Sequence, residues 1–274
     1  MPYFTAKDAT SLYYEETGSG VPLLFVHGWS FSSGVWSLQK SCFSSRYRCI
    51  ALDLRGHGRS MPSRSGYGID VLSSDVAELF DILCLTNATL FGWSLGALVA
   101  LAAYPAVKER VAAMVLVSGT AKYCADADYP WGVPPKEPKS LSLLLKRNPG
   151  KAIDGFLRRM FTGEEAAERG FDVFKKDILP LEPTPTPDIM LQALETLVTA
   201  DMRPFLANIL APVLAVHGER DAICPIGAAR YLVEQIPGAT LSMLSGAGHV
   251  PIFSHSNQFN TVTESFLKNI YGKN

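Results

Sequence analysis

Cysteine is scarce in this sequence: there are five in 274 residues, at positions 42, 49, 84, 124 and 224. An odd number at irregular spacing argues against a disulfide framework and against a Cys-His metal cluster. Cys49 and Cys84 fall inside apolar runs, where a buried free thiol is the expected state. Excess charge of either sign is missing as well: 25 Lys and Arg against 26 Asp and Glu leave a formal net charge of −1. That balance gives no sign of a nucleic-acid-binding chain. Long hydrophobic runs are also missing. The longest, Ala97–Ala103, is far too short to span a bilayer. The opening stretch MPYFTAKDATSLYYEETGSG has no apolar segment of the kind a secretory signal needs. The expectation from these absences is a monomer in a reducing cytoplasm, without membrane or nucleic-acid partners.

What is present is a globular composition, 47% hydrophobic and 19% charged, long enough for one large domain or a domain with an insertion. Short apolar runs at Pro22–Val26, Arg48–Leu52, Thr89–Phe91, Ala113–Val117, Pro212–Val216 and Thr240–Leu244 read as buried strands. Leu12–Glu15 suggests an earlier antiparallel strand. Helical patterns at about 70–84, 95–108, 226–236 and 257–271 alternate with the runs. Such alternation predicts a mostly parallel sheet covered by helices. It breaks between about 119 and 210, where turn-rich segments (YPWGVPPKEP, LPLEPTPTPDI) flank helical patterns. This stretch reads as a helical lid over the carboxyl edge of the sheet; an ordinary pair of crossover helices is the alternative.

One serine stands at a strand-to-helix junction. Gly92-Trp93-Ser94-Leu95-Gly96 follows an apolar strand and opens an apolar helix. This is the G-x-S-x-G pattern, in which glycines flank a turn too sharp for side chains and leave the hydroxyl projecting. A serine hydroxyl is a weak nucleophile and needs a base, and the base needs an orienting carboxylate. Of five histidines, only His249 lies in a glycine-rich loop after the last strand, so it is the candidate base. His27, His57, His217 and His255 are assigned to structure, the commoner use of a histidine. Asp221, just past Pro212–Val216, is favoured as the acid over Asp126 and Asp128. Asp53 reads as a residue capping the Arg55-Gly56-His57-Gly58 turn. Acyl chemistry also needs donors for an oxyanion, and the candidates are the backbone N–H groups of Leu95 and Trp29. No metal or organic cofactor is required.

These residues resemble those of the α/β-hydrolase superfamily. His27-Gly28-Trp29, the Asp53–Ser60 stretch DLRGHGRS, GWSLG, GERD and GAGHVPIFSH occur in the order of that family, over nearly the whole chain. The resemblance implies an eight-stranded, mostly parallel sheet flanked by helices, with a core at 1–118 and 206–274 and a helical lid at 119–205. Families of this architecture that act on halides or epoxides use a carboxylate at the elbow. A serine there implies an acyl-enzyme from an ester, thioester or amide.

Within the superfamily the chain is most similar to the biotin-pathway carboxylesterases that demethylate pimeloyl-[acyl-carrier protein] methyl ester. The similarity lies in Val35-Trp36, GWSLGALVA, Phe156-Leu157-Arg158-Arg159-Met160, Asp201-Met202-Arg203 and HVPIFSH. It implies that Trp29, Ser94, Leu95, His249 and residues 156–160 contact the acyl substrate. General esterases, thioesterases, lactonases, carbon–carbon bond hydrolases and slow-turnover receptors of the fold are the alternatives.

The lid sequence itself places Ile153, Phe156, Leu157, Met160 and Phe161 on one helix face, at i, i+3, i+4, i+7 and i+8. Lys151, Arg158 and Arg159 fall on the other, where they would meet an acidic carrier protein. Glu164, Glu165 and Glu168 follow and dilute that positive field.

Overall fold

The computed structural model describes residues 2–167, 170–178 and 183–272. Glu168 and residues 179–182 lie outside the described residues. Eight strands form one sheet in the order β1-β2-β4-β3-β5-β6-β7-β8. They are β1 (Tyr3–Thr5), β2 (Ser11–Thr17), β3 (Val21–Val26), β4 (Tyr47–Leu52), β5 (Ala88–Trp93), β6 (Val111–Val117), β7 (Val213–Gly218) and β8 (Thr240–Leu244). β1 and β2 pair antiparallel, β2 pairs antiparallel with β4, and every pairing from β4 to β8 is parallel. The central strands are apolar on both faces because both faces are covered. Every residue of β5 and of β7 is buried.

The covering helices are α1 (Ser37–Phe43), α2 (Ile69–Ile82), α3 (Leu95–Val107), α9 (Ile226–Gln235) and α11 (Ser256–Tyr271), the last preceded by the short α10 (Pro251–Ser254). α2 packs on α3 and α1 on α11. α3 is apolar nearly all round, as befits a helix buried against the middle of the sheet. The sequence reading misses β1 and α1. β1 is three residues long, and α1 has only two buried residues, so neither carries a periodic signal. Cys84 is exposed, contrary to the expectation from its apolar surroundings. It lies just past α2 in a left-handed conformation (φ 49°), in the turn before β5, where the chain is at the surface. Cys49, Cys124 and Cys224 are buried thiols.

Between β6 and β7 lie α4 (Lys136–Arg147), α5 (Pro149–Arg159), α6 (Gly163–Ala167), α7 (Gly170–Asp177) and α8 (Pro187–Thr199). The chain leaves and re-enters the sheet through a narrow neck. Lys122 bridges to Asp201, and Met202 N–H donates to the Ala121 carbonyl at 2.8 Å. These helices sit on the carboxyl ends of the strands through aromatic contacts. Phe31 packs on Trp93 and on Phe174, with ring centroids 4.9 and 5.8 Å apart, and Phe174 packs on Phe253 at 5.0 Å.

α5 differs from its sequence reading at its end. The helix stops at Arg159, so Met160 and Phe161 lie beyond it, although both are buried. The cause is local. Thr162 and Glu165 form a reciprocal capping box, Thr162 N–H donating to Glu165 Oε2 at 2.7 Å and Glu165 N–H to Thr162 Oγ1 at 3.2 Å. This starts a new helix, α6.

Candidate active site

In a parallel sheet the strand ends line up, and polar groups collect where loops leave them. Val26 of β3 is in register with Gly92 of β5, and Trp93 of β5 with Val117 of β6. Ser94 therefore emerges at the centre of that edge. It holds φ 56° and ψ −116°, a strained conformation for a residue with a Cβ. The turn is tight on both flanks. A Cβ on Gly92 would collide with the Gly96 carbonyl, and one on Gly96 with the carbonyls of Val26 and His27. The glycines of the motif are thus required by packing against β3 as well as by the turn.

His249 sits in the loop after β8. Its Nε2 is 3.0 Å from Ser94 Oγ, and its Nδ1 is 2.8 Å from Asp221 Oδ2. All three residues are buried. With Asp221 ionised, Nδ1 carries the proton and Nε2 is left as the acceptor facing the serine hydroxyl. Asp221 Oδ1 accepts the N–H groups of Ile223 and Cys224, each at 2.8 Å. Burial pushes the Asp221 pKa up; the His249 charge and hydrogen bond, with the His217 charge and the Cys224 N–H, outweigh it and hold the carboxyl below its ordinary value. The carboxylate is therefore ionised and fixed in place.

The other sequence candidates lie elsewhere. Asp126 and Asp128 are exposed, and Asp126 is ion-paired with Lys122. Asp53 accepts the N–H groups of Ser33 (2.6 Å) and Arg59 (2.8 Å), which fixes the 55–59 turn. His27 Nδ1 donates to the Gly28 carbonyl and its Nε2 accepts from Leu54 N–H. His57 Nδ1 donates to the Arg55 carbonyl at 2.9 Å. His217, assigned to structure, approaches the site more closely than that role implies. Its Nε2 donates to the Cys224 carbonyl at 2.7 Å and lies 3.4 Å from Asp221 Oδ2.

The loop after β3 approaches the serine closely. A Cβ on Gly28 would lie 3.2 Å from Ser94 Cβ and 2.9 Å from the Trp93 ring, so a glycine is needed there. Among the described residues, the backbone N–H groups of Trp29 and Leu95 have no hydrogen-bond acceptor, although both residues are buried. Leu95 is the first residue of α3, where an N–H has no partner inside the helix. The Trp29 ring stands edge-on to Phe156 of α5 at 4.8 Å, and its Nε1 donates to the Met190 carbonyl of α8 at 2.9 Å.

Of the residues that the sequence assigns to a lid, Phe156, Leu157 and Met160 are buried. Arg158 is exposed and bonded to Asp154 at 2.9 Å. Arg159 is drawn back against the protein, its Nη2 donating to Glu137 at 2.6 Å and to the Ala222 carbonyl at 3.1 Å. A cavity of about 380 Å³ lies between α4 and α5, with Tyr123, Leu141, Leu144, Phe156 and Arg159 in its walls. The sequence reading missed one group. Glu165, expected to dilute charge on the surface, is buried, and its carboxylate accepts Gly248 N–H at 3.1 and 3.2 Å. The T-x-x-E spacing from Thr162 signals the capping box, but nothing local signals the reach to Gly248.

Comparison with known proteins agrees with this geometry. The model of the α/β hydrolase fold family matches residues 21–256. The pimeloyl-[acyl-carrier protein] methyl ester esterase of Nitrosomonas europaea is 34% identical over 252 residues, 91% of this chain and 96% of that protein. The enzyme of the same name from Serratia marcescens is 30% identical over 94% of this chain and 98% of its own length. Among solved structures, an esterase from Exiguobacterium antarcticum superposes with a TM-score of 0.88 at 27% identity, covering 97% of this chain and 98% of that one. With the serine elbow, the strand order and the matched span in agreement, the chain belongs to the α/β-hydrolase fold family.

Proposed function

We propose that the protein is a serine carboxylesterase that removes the methyl ester from pimeloyl-[acyl-carrier protein] in biotin synthesis. The observation that carries the chemistry is the continuous line from Ser94 Oγ through His249 to Asp221, at 3.0 and 2.8 Å. The curated relatives of that name support the substrate.

In this reading His249 Nε2 takes the Ser94 proton as Oγ attacks the ester carbonyl. The Leu95 and Trp29 N–H groups receive the charge that develops on the carbonyl oxygen. Asp221 holds the Nδ1–H tautomer and stabilises the imidazolium without taking the proton. The imidazolium then protonates the departing methoxide, and methanol leaves an acyl-Ser94 ester. Water, deprotonated by the same Nε2, attacks that ester; the free acid forms and Ser94 recovers its proton. Protein groups suffice for every step, and no cofactor is invoked.

Residues 119–205 act as the lid, with Phe156, Leu157 and Met160 on the acyl side. An acidic carrier would meet the lid's outer face. Of Lys151, Arg158 and Arg159, the two arginines already hold Asp154 and Glu137, and Lys151 has no ion pair among the described residues. Carrier recognition therefore falls first on Lys151. A monomer in a reducing cytoplasm is the proposed setting, and the buried thiols of Cys49, Cys124 and Cys224 suit it.

The test compares kcat/KM for pimeloyl-carrier-protein methyl ester, the same acyl methyl ester without carrier, and a short aryl ester, with Ser94→Ala as control. A carrier-bound ester ahead by tenfold or more, about 1.4 kcal/mol, supports the reading. A free or short ester that does as well overturns the biotin assignment and keeps the esterase. Full activity in Ser94→Ala overturns the mechanism.

A further inference from the structure

Between Met160 and Glu165 the lid takes up two consecutive backbone N–H groups of the loop that carries His249. His249 N–H donates to the Met160 carbonyl at 2.8 Å, and Gly248 N–H donates to the Glu165 carboxylate at 3.1 and 3.2 Å. Glu165 is only 7% exposed, and its carboxylate also accepts Thr162 N–H at 2.7 Å. On its other side stands His255, whose Nδ1 is 3.4 Å from Glu165 Oε1 and 3.0 Å from Ser254 Oγ. The contact leaves no room for a side chain at position 248. A Cβ on Gly248 would lie 2.9 Å from Glu165 Oε2 and would collide with the Met160 carbonyl.

A buried carboxylate is stable in such a place only when its oxygens are bonded, and bonds to an ionised acceptor are stronger than neutral ones. Glu165 therefore anchors α6 to the His249 loop rather than merely capping α6. The opposite side of the His249 peptide is held by the core, because Trp93 Nε1 donates to the His249 carbonyl at 2.9 Å. The imidazole thus hangs from a backbone gripped by the lid on one side and by the nucleophile's strand on the other. A displacement of about 1 Å is enough to cost a reacting pair its alignment.

We propose that Glu165 is a positioning residue for His249: by clamping Gly248 to the lid it sets the Nε2–Ser94 distance, so that the seated lid and the competent base are one state of the molecule. The inference rests on the reading of Ser94 and His249 as the reacting pair. Substrate exchange that lifts the 160–165 turn would then also release the base from its position.

The test is single-turnover phosphonylation of Ser94 by ethyl 4-nitrophenyl methylphosphonate, followed by release of nitrophenolate. This reagent needs the activated serine and carries no acyl chain for the lid to bind. Glu165→Ala is expected to slow the reaction tenfold or more, and to lower kcat on 4-nitrophenyl acetate with KM within twofold. Glu165→Gln, whose amide oxygen still accepts from Gly248, is expected to recover at least threefold of that loss. Gly248→Ala, which pushes the clamp apart from the loop side, is expected to slow the reaction as Glu165→Ala does, and it carries the test if Glu165→Ala fails to fold. A folded Glu165→Ala or Gly248→Ala protein that reacts within twofold of wild type overturns the proposal. So does a rise in KM alone, the mark of a lid loosened without effect on the base. A wild-type enzyme that is not labelled at Ser94 is a different result, because it overturns the catalytic reading itself.

Discussion

Trp93 donates its indole N–H to the carbonyl oxygen of His249 at 2.9 Å, so the residue before Ser94 holds the loop that carries the base. Two loops that are 155 residues apart in sequence at Ser94 and His249 are thereby set against each other by a bond that spends no catalytic group. Trp93→Phe keeps an aromatic ring to pack on Phe31 but leaves the His249 carbonyl buried without a partner. We expect a loss of about 1–3 kcal/mol in unfolding free energy. We also expect a fall in kcat of roughly tenfold with KM little changed, since the bond acts on alignment. Urea unfolding and steady-state kinetics on an aryl ester check this. An unchanged kcat would show that the loop keeps its place without the indole.

Asp221 divides its two oxygens between structure and base. Oδ1 accepts the Ile223 and Cys224 N–H groups, and Oδ2 faces His249 Nδ1. In Asp221→Asn the amide oxygen retains the first role, so the fold is expected to stand. The amide N–H₂ cannot accept from Nδ1–H, and the imidazole is driven to the wrong tautomer. A loss of about 10⁴ in kcat is expected, with little change in melting temperature. A loss under tenfold would mean that His249 is oriented by another group.

The sheet and the serine are legible in the sequence because each rests on local signals. β3, β5, β6 and β7 read as apolar runs since both of their faces are buried. The elbow reads from two glycines whose necessity the packing around Gly92 and Gly96 explains. Glu165 reads wrongly because its charge suggests solvent, while its partner is the Gly248 N–H, a backbone group far away in sequence. Arg159 is exposed as its charge suggests, but its partners, Glu137 and the Ala222 carbonyl, are also distant in sequence and are not legible in it. Met160 and Phe161 keep the helical period of α5 although the helix has ended, because both still face inward across the turn. Periodicity reports which side of a segment is buried, and only a cap reports where a helix stops.

Phe156 stands between the cavity of about 380 Å³ and the Trp29 ring. Its removal is expected to join that cavity to the space beside Trp29, and so to lengthen the acyl chain that the enzyme accepts. Each methylene newly buried is worth about 0.8 kcal/mol, so two of them shift the long-to-short preference by roughly tenfold. Phe156→Ala should therefore raise kcat/KM for decanoyl over butyryl 4-nitrophenyl ester by about that factor. The buried ring's loss is expected to cost about 3 kcal/mol of stability. A chain-length profile identical to that of wild type would place the acyl group elsewhere.

His27 and His57 give the fold a built-in acid limit that is separate from the chemistry. Burial pushes the His27 pKa down to about 4, with the Gly28 carbonyl opposing only in part. Burial, and then the neighbouring His27, push His57 down to about 3. Burial holds both rings neutral, and at His27 the bonding agrees with it. His27 Nε2 accepts from Leu54 N–H, so a proton there would set two N–H groups against each other. The unfolded chain takes up a proton on each ring as the pH falls through about 6.5. The native protein does not follow until about pH 4 and 3. Protons thus bind preferentially to the unfolded state between those limits. The stability that the two rings contribute is whole above about pH 6.5 and is lost as the pH falls toward 4. Their joint contribution to the slope is steepest at about pH 5, where it approaches about 2.7 kcal/mol per pH unit. In NMR spectra the carbon-bound ring protons of both residues are expected to keep their shifts from pH 8 to pH 5, while unfolding free energy from urea titrations declines below pH 6.5. A ring that titrates near 6.5 in the folded protein would remove its share of the slope and refute the assignment for that residue.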